Sequence, residues 1–192
     1  LVLFLLSGGG SALLPSTVEG IALAEKMAVT DLLLKSGASI HEMNTIRKHL
    51  SQIKGGQLAR LAHPATLISL ILSDVVGDPL DVIASGPTVG DPSTFEDCSE
   101  VVERYSLEDQ LPPAVRSYLA AGLEGKVPET PKPDDPIFSK TYNVLVGTNL
   151  QALKAAADEA KNLGYKTFVL SSMIEGDTTE AAHFHTALLK EA

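Results

Sequence analysis

The sequence has little cysteine, few cations and no apolar run long enough for a membrane span. Its single cysteine, Cys98, has no partner within the chain, which excludes an internal disulfide framework and indicates a reducing compartment. Fifteen basic residues stand against 24 acidic ones, and the net charge of −9 disfavours nucleic-acid binding. The opening apolar run, residues 1–6, is far shorter than the roughly 20 residues of a membrane span. We therefore expect neither a nucleic-acid nor a membrane partner.

What is present is the composition of an ordinary globular protein, with 44% hydrophobic and 20% charged residues among 192. This length fits one large or two small domains. Because the chain opens on a strand-like run and not on Met, we expect an excerpt of a longer protein. An acidic chain with one cysteine is typical of the cytoplasm, while a mitochondrial transit segment would lie before residue 1. The sequence leaves a homo-oligomer open.

Apolar runs alternate with helix-like periods, which predicts an α/β fold with a Rossmann-like parallel sheet and flanking helices over a first domain, residues 1–125. The expected elements, in chain order, are a strand at 1–6, helices at 21–35 and 40–62, a strand at 67–72, and helices at 96–105 and 113–121. A break is expected at Gly55-Gly56 in the second helix, and the first strand is expected to be buried.

A proline-rich stretch divides the predicted domains. Four prolines fall within residues 128–136, a composition typical of an exposed, semi-rigid linker, here 126–141. Residues 142–192 are expected to begin a second α/β unit that leads into a further region. Its predicted elements are a strand at 143–147, a helix at 150–163, a strand at 166–170, and a last helix capped by Asp177.

A glycine triplet follows the first strand, in the order Ser7-Gly8-Gly9-Gly10-Ser11. Without Cβ atoms, three glycines let backbone N–H groups converge on an anion such as phosphate. A tight turn explains such a triplet about equally well. The loop does not match the dinucleotide fingerprint, because Leu13 occupies the position of its third glycine.

The segment after residue 40 carries a basic stripe. At 100° per residue, one helix face holds Met43, Ile46, Leu50 and Ile53, and the opposite face holds Asn44, Arg47, Lys48, Ser51 and Lys54. Three cations without interleaved carboxylates suit a carboxylate or phosphate ligand, which Arg47 can grip with two hydrogen bonds. On the helical pattern alone, an ordinary solvated face is the favoured alternative.

Asp74 lies where the second apolar strand ends, and ligands of open α/β sheets bind beyond the carboxyl ends of strands. A carboxylate there can hold Mg²⁺ or accept a proton. Asp78 and Asp81 are close enough in sequence to join the same site. A turn-forming role is the alternative, and it explains Asp78 before Pro79 better than it explains Asp74.

Together these stretches resemble the glycerate 2-kinase family, whose carboxyl-terminal part is called the MOFRL domain. The resemblance is dense over residues 5–92 and looser over 143–172. It is carried by residues 6–14, 44–51 with 54–56, 72–78 and 83–88. It implies phosphorylation of D-glycerate at its 2-hydroxyl to 2-phosphoglycerate, with ATP and Mg²⁺ as cofactors and small molecules as the partners.

The resemblance also implies roles for individual residues. Catalytic roles fall to Arg47, Lys48, Lys54 and Asp74, and Asp74 with Asp78 would hold the metal. Substrate or phosphate contacts fall to Ser7, Gly8, Gly9, Gly10, Ser11, Asn44, Ser85 and Gly86. Complete members of the family continue on both sides with further site residues, so we expect little or no kinase activity from these 192 residues alone.

Two other functions stay open from the sequence. One is a non-catalytic ligand-binding module, and the other is an NAD(P)-dependent hydroxypyruvate reductase. Leu13 argues against the reductase, because the third glycine of the dinucleotide fingerprint allows the helix to pack closely at that position.

Overall fold

The computed structural model describes residues 1–191 as a three-stranded sheet with helices around it. No helix in that range is both long and apolar enough to cross a membrane. The elements are β1 (Val2–Leu6), α1 (Gly10–Leu13), α2 (Leu23–Ser36), α3 (Ile40–His49), α4 (Gln57–Ala62), β2 (Leu67–Leu72), α5 (Phe95–Arg104), α6 (Pro113–Leu123), β3 (Thr141–Gly147), α7 (Asn149–Asn162) and α8 (Thr178–Glu191), with 3-10 turns at Ile83–Ser85 and Pro136–Lys140.

β2 lies in the centre of the sheet, and β1 and β3 both run parallel to it. The carboxyl ends of all three strands therefore meet at one edge. Residues 7–9 leave β1 there, and residues 73–78 leave β2 at the same edge. This arrangement confirms the predicted α/β fold with a parallel sheet, and it brings the glycine loop and Asp74 to one side of the molecule.

The first strand is only half buried, so the expectation of a buried β1 is wrong for one of its faces. Leu5 pairs with Leu70, which pairs with Val144, and Leu5 is 68% exposed. Leu6, on the other face, is buried with Ile71. Among residues 1–191 the buried sheet core thus forms on one face, where the loop after β2 and the 3-10 turn at Ile83–Ser85 pack.

A larger core lies among the helices. Buried apolar side chains from α2, α3, α5 and α6 form one cluster that includes Leu33, Ile46, Cys98 and Val115. Because α3 contributes its apolar face to this core, its opposite face turns toward α1 and the 3-10 turn at Ile83–Ser85. The predicted helices at 21–35, 96–105 and 113–121 are confirmed within one or two residues.

The predicted break at Gly55-Gly56 is confirmed, since both glycines are left-handed and precede α4. The first part of the helix expected at 40–62 is shorter than predicted, because α3 already ends at His49. The strand expected at 166–170 is absent from the described chain. This stretch forms no ladder with the sheet, and its residues are largely exposed, so the apolar run Phe168-Val169-Leu170 was not sufficient for strand pairing.

The proline-rich stretch is not a freely exposed linker. Thr130 and Pro131 are buried, and the Pro131 carbonyl accepts a hydrogen bond from the Asp91 N–H at 2.8 Å. The domain boundaries at 125 and 142 remain predictions. The sheet itself crosses them, since β3 pairs with β2.

Gly122 of α6 provides a test of the helical core. A Cβ built at this position would overlap the ring of Phe95, which is itself buried between His49 and Tyr118. We expect Gly122→Ala to lower the unfolding free energy by about 1–3 kcal/mol through overpacking, although Gly to Ala in an open helix raises stability. Ser117→Ala, on the exposed side of α6, is the control in thermal unfolding. An equal or higher Tm for Gly122→Ala would contradict this packing.

Candidate functional site

The side chain of Ser11 is the centre of the candidate site. Its Oγ accepts hydrogen bonds from Arg47 Nη2 at 3.0 Å and from Lys54 Nζ at 3.1 Å. Lys54 Nζ also donates to the Ser11 carbonyl at 2.6 Å. One residue of the glycine loop thereby orients two cations that come from α3 and from the turn after it.

A chain of hydroxyl groups continues from Ser11 into the protein. The Ser85 hydroxyl donates to Asn44 Oδ1 at 3.0 Å, and Ser11 Oγ lies 3.1 Å from Ser85 Oγ. Because the Ser85 proton is used on Asn44, Ser11 must be the donor to Ser85. A hydroxyl has one proton and two acceptor positions, so Ser11 Oγ uses its full hydrogen-bonding capacity within this cluster.

The backbone that presents Ser85 adopts an uncommon conformation. Ala84, Ser85 and Gly86 are all left-handed, with φ of 50°, 62° and 62°. Non-glycine residues in this region carry a conformational cost. The Gly55 N–H donates to the Ser85 carbonyl at 2.9 Å and the Gly56 N–H to the Gly86 carbonyl at 2.8 Å. These two hydrogen bonds stabilise the strained turn, in which Gly86 takes part through its backbone carbonyl.

Three cations of the site have no acidic partner among residues 1–191. Lys54 is 1% exposed and Lys26 of α2 is 6% exposed. Burial, reinforced by Arg47 and Lys26, lowers the pKa of Lys54 to about 7. Burial and Arg47 lower the pKa of Lys26 to about 8, and burial lowers the pKa of Arg47. Within residues 1–191, none of the three has a carboxylate oxygen within 4.0 Å.

Lys48 is held differently from Lys54. Its ammonium is buried and lies 3.2 Å from Oδ1 of Asp91, with Asp81 Oδ2 at 3.9 Å. Asp91 is fully buried and also accepts from the hydroxyls of Ser93, at 2.7 Å, and Thr130, at 3.0 Å. The interpretation of the stripe as a solvated face is therefore wrong, and Lys48 is placed on Asp91 instead of on Ser11.

The end of α3 is tied to the proline-rich stretch through His49. Nδ1 of His49 donates to the Thr45 carbonyl at 2.8 Å, and Nε2 lies 3.0 Å from Glu129 Oε2. Although burial acts to raise it, hydrogen bonds from Phe95 N–H, Lys132 and His49 lower the pKa of Glu129 overall. This contact fixes the orientation of the helix that carries Asn44 and Arg47.

The glycine loop meets Asp74 at the edge of the sheet. A Cβ at Gly8 would lie 2.5 Å from Asp74 Oδ2, so any larger residue there would displace the Asp74 carboxylate. The N–H groups of Gly8 and Gly9 bond to no carbonyl or side chain among the described residues, whereas Gly10 N–H donates to the Ser7 carbonyl at 3.2 Å. Two donors are thus free beside an exposed carboxylate.

Asp74 offers a single carboxylate for a metal ion. In residues 1–191 no group of three or more His, Cys, Asp or Glu side chains could hold a metal. Asp78 is half-buried with a φ of 56°, and its N–H donates to the Val75 carbonyl, which is the geometry of a turn. Mg²⁺ is commonly held by one or two carboxylates together with phosphates and water, so this donor set fits Mg²⁺ that arrives with a nucleotide.

The structure brings together two groups of the residues expected from the sequence. Ser11, Asn44, Arg47, Lys54 and Ser85 form one hydrogen-bonded cluster, and Gly8 meets Asp74. Sequence reasoning missed two further residues. Lys26 lies within an unremarkable helical pattern. Asp91, which precedes Pro92, has the local signature of a turn residue, and only its contact with Lys48 reveals its role.

The lowered pKa of Lys54 predicts a pH-dependent stability. Lys54 binds its proton with a pKa of about 7 when folded and 10.5 when free, so between these values the unfolded chain holds more protons and stability rises with pH. The Tm of the full-length protein minus that of Lys54→Met should therefore rise from pH 7 to 10 in buffer without small anions. Lys35→Met, which removes an exposed lysine of α2, is the control. A difference that stays constant over this range would contradict the burial of an unpaired charge.

The chain is similar in sequence to several proteins called glycerate kinases. The chain is 47% identical over 191 residues to a glycerate 2-kinase of Pyrococcus horikoshii, covering 100% of the chain and 42% of the relative. It is 43% identical to a D-glycerate 2-kinase of Thermotoga maritima, covering 99% and 42%, and 47% identical to a human glycerate kinase, covering 98% and 35%. The chain thus spans about two fifths of the length of the curated relatives it matches.

Solved structures and a family model agree with these matches. A crystal structure from P. horikoshii superposes with a TM-score of 0.80 at 47% identity, covering 99% of the chain and 43% of that protein. A glycerate kinase from T. maritima gives 0.82 at 42% identity, with coverage of 99% and 43%. The model of a domain of unknown function, DUF4147, matches residues 1–120. Because this match covers more than half of the chain, the chain belongs to the DUF4147 family.

Proposed function

We propose that this chain is part of a D-glycerate 2-kinase, which transfers the γ-phosphoryl group of ATP to the 2-hydroxyl of D-glycerate and yields 2-phosphoglycerate and ADP. The observation that carries the proposal is the meeting of the glycine loop with Asp74, next to the cations on Ser11. The relatives called glycerate kinases support the same function. Because the chain spans 42% of the Pyrococcus relative, the activity is proposed for the full-length protein.

Phosphoryl transfer requires positioning and charge neutralisation more than covalent chemistry from the protein. The free N–H groups of Gly8 and Gly9 are placed to donate to phosphate oxygens at the end of β1. Arg47 and Lys54 supply positive charge, and the half-buried Arg47 guanidinium keeps donors that its bond to Ser11 does not use. These groups together hold two anionic partners close to one another.

Asp74 is the residue proposed to act on the hydroxyl. Its carboxylate is exposed at the edge of the sheet where Gly8 lies. It accepts the proton of the 2-hydroxyl as the oxygen forms its bond to phosphorus and the bond to the ADP oxygen breaks. In the alternative role, Asp74 would instead hold Mg²⁺ together with phosphate oxygens, and the metal would neutralise charge on the phosphates. Asp78 is a secondary metal candidate, and residues 1–192 alone are expected to turn over little or nothing.

A direct assay tests the proposed reaction. The full-length protein with Mg-ATP and D-glycerate should release ADP in a coupled assay, and NMR of the product should show phosphorus coupled to the hydrogen at C2. Phosphate on C3, or no ADP above background, would overturn the proposal. Retained binding of glycerate or nucleotide without turnover would favour a ligand-binding module instead.

Asp74→Asn tests the proton-accepting role. The amide has nearly the same shape and can neither accept this proton nor hold a metal as well, so kcat/KM should fall by about 10²–10⁴-fold, as for loss of a general base. The matched control is Asp31→Asn, which removes an exposed carboxylate from α2. A loss within about threefold for Asp74→Asn, with D-glycerate and Mg-ATP saturating in turn, would remove Asp74 from the mechanism.

A further inference from the structure

Arg47 and Lys54 share Ser11, Lys26 contributes to the same positive environment, and none of the three has a carboxylate within 4.0 Å among residues 1–191. We propose that Lys26, Arg47 and Lys54 together bind the carboxylate of the hydroxy-acid substrate, and that this binding draws one proton from solvent onto the cluster. The proposal rests on the proposed function and assigns the substrate carboxylate to a site that includes Lys26, which the sequence did not indicate.

The three side chains come from separate parts of the fold. Lys26 extends from α2, Arg47 from α3, and Lys54 from the turn after α3. The Lys26 amine is 3.5 Å from the Ser16 carbonyl, and the Lys54 amine is 2.6 Å from the Ser11 carbonyl. These neutral carbonyl groups accept hydrogen bonds from the two amines, but they do not balance the charge.

Unbalanced burial of this kind is costly, because a charge removed from water needs an opposite charge or shifts to its neutral form. The same segment contains a counterexample, since buried Lys48 has Asp91 at 3.2 Å. Lys26 and Lys54 are as deeply buried as Lys48 and have no such partner among residues 1–191. Within residues 1–191 the cluster therefore lacks the opposite charge that a bound anion would supply.

A carboxylate suits this cluster better than a nucleotide phosphate. Nucleotide phosphates bind together with Mg²⁺, which needs oxygen ligands. No carboxylate lies within 4.0 Å of Lys26, Arg47 or Lys54 in the described chain, and three cations would repel the metal. Asp74, with the free N–H groups of the glycine loop, provides such ligands and donors elsewhere. Arg47 can also take a carboxylate in a planar two-point contact.

Proton uptake follows from the charges around the two lysines. The titratable groups that face Lys54 are Arg47 from α3 and Lys26 from α2, while α1 and the turn at residue 85 present only hydroxyl and carbonyl groups. Before binding, the pKa of Lys54 is about 7 and that of Lys26 about 8. A bound carboxylate raises both pKa values, and the protons that the amines then take up come from the buffer.

Calorimetry of D-glycerate binding tests both parts of the proposal. The full-length protein is titrated with D-glycerate, without nucleotide or Mg²⁺, in Tris and in HEPES, whose ionisation enthalpies differ. At pH 8 amines with pKa values of about 7 and 8 together lack about 1.4 protons, so we expect uptake of about 1–1.4 protons per ligand bound, declining toward zero at pH 6. Equal heats in the two buffers at pH 8 would overturn the coupling.

Variants identify the residues that carry the effect. Lys54→Met and Lys26→Met should each weaken D-glycerate binding about tenfold or more. Lys54→Arg keeps the charge and cannot titrate, so it should bind with less proton uptake, and it keeps the test valid if Lys54→Met does not fold. Lys35→Met should match the wild type. Unchanged affinity in both methionine variants would overturn the site.

Two further titrations separate the alternatives. Inorganic phosphate should bind more weakly than D-glycerate and without preference for this cluster. Tighter phosphate binding that Lys26→Met abolishes would overturn the carboxylate assignment. These titrations contain no nucleotide, so glycerate binding with proton uptake supports the cluster even if the ADP assay fails. Normal turnover without proton uptake leaves the proposed function intact but rejects the coupling of binding to protonation.

Discussion

Burying a lysine ammonium requires an opposite charge or a shift toward the neutral amine, and this requirement organises the candidate site. Lys48 meets it with the fully buried carboxylate of Asp91. Lys54 meets it with the carbonyl and hydroxyl of Ser11, and its pKa falls to about 7. Lys48 is therefore part of a structural ion pair. Lys54 has no carboxylate partner among residues 1–191, so its protonation state would change when an anion binds beside it.

The turn between α3 and α4 places Lys48, with its carboxylate partner, and Lys54, without one, within seven residues of chain. Gly55 and Gly56 are left-handed, and a Cβ at Gly55 would lie 3.0 Å from Lys48 Cβ and 3.3 Å from Asp91 Oδ2. The chain can therefore pass directly against the Lys48–Asp91 pair and bring Lys54 back to Ser11. The same two glycines donate their N–H groups to the strained turn that carries Ser85. One short segment thus positions cations and hydroxyls together.

Local pattern predicted most elements of the fold but not the partners of its charges. Apolar runs located β1, β2 and β3, and helical periods located α2, α5 and α6, because these signals depend on near neighbours in sequence. The fate of Lys48 depends on Asp91, 43 residues away, so a helical wheel could only favour a solvated face. Lys26 is invisible for the same reason, since its burial arises where α2 packs near Ser16. The segment 166–170 has an apolar run but forms no ladder with the sheet, so its sequence alone did not decide its pairing.

Asp74 and the three cations of the site remain available for ligands because they form no ion pairs with one another in the described chain. Asp74 forms no ion pair with Arg47, Lys26 or Lys54 in the described chain, and it lies against Gly8 at the carboxyl edge of the sheet. Ser11 accepts hydrogen bonds from Arg47 and Lys54 through a neutral hydroxyl group, so the charges of both cations stay unbalanced. A direct contact between Asp74 and Arg47 would satisfy both groups and leave neither for a ligand. The chain has a net charge of −9, so carboxylates are plentiful. These cations stay unpaired because the elements around them contribute hydroxyl and carbonyl oxygens in place of carboxylates. The residues that do so lie in α1 and in the turn at residue 85.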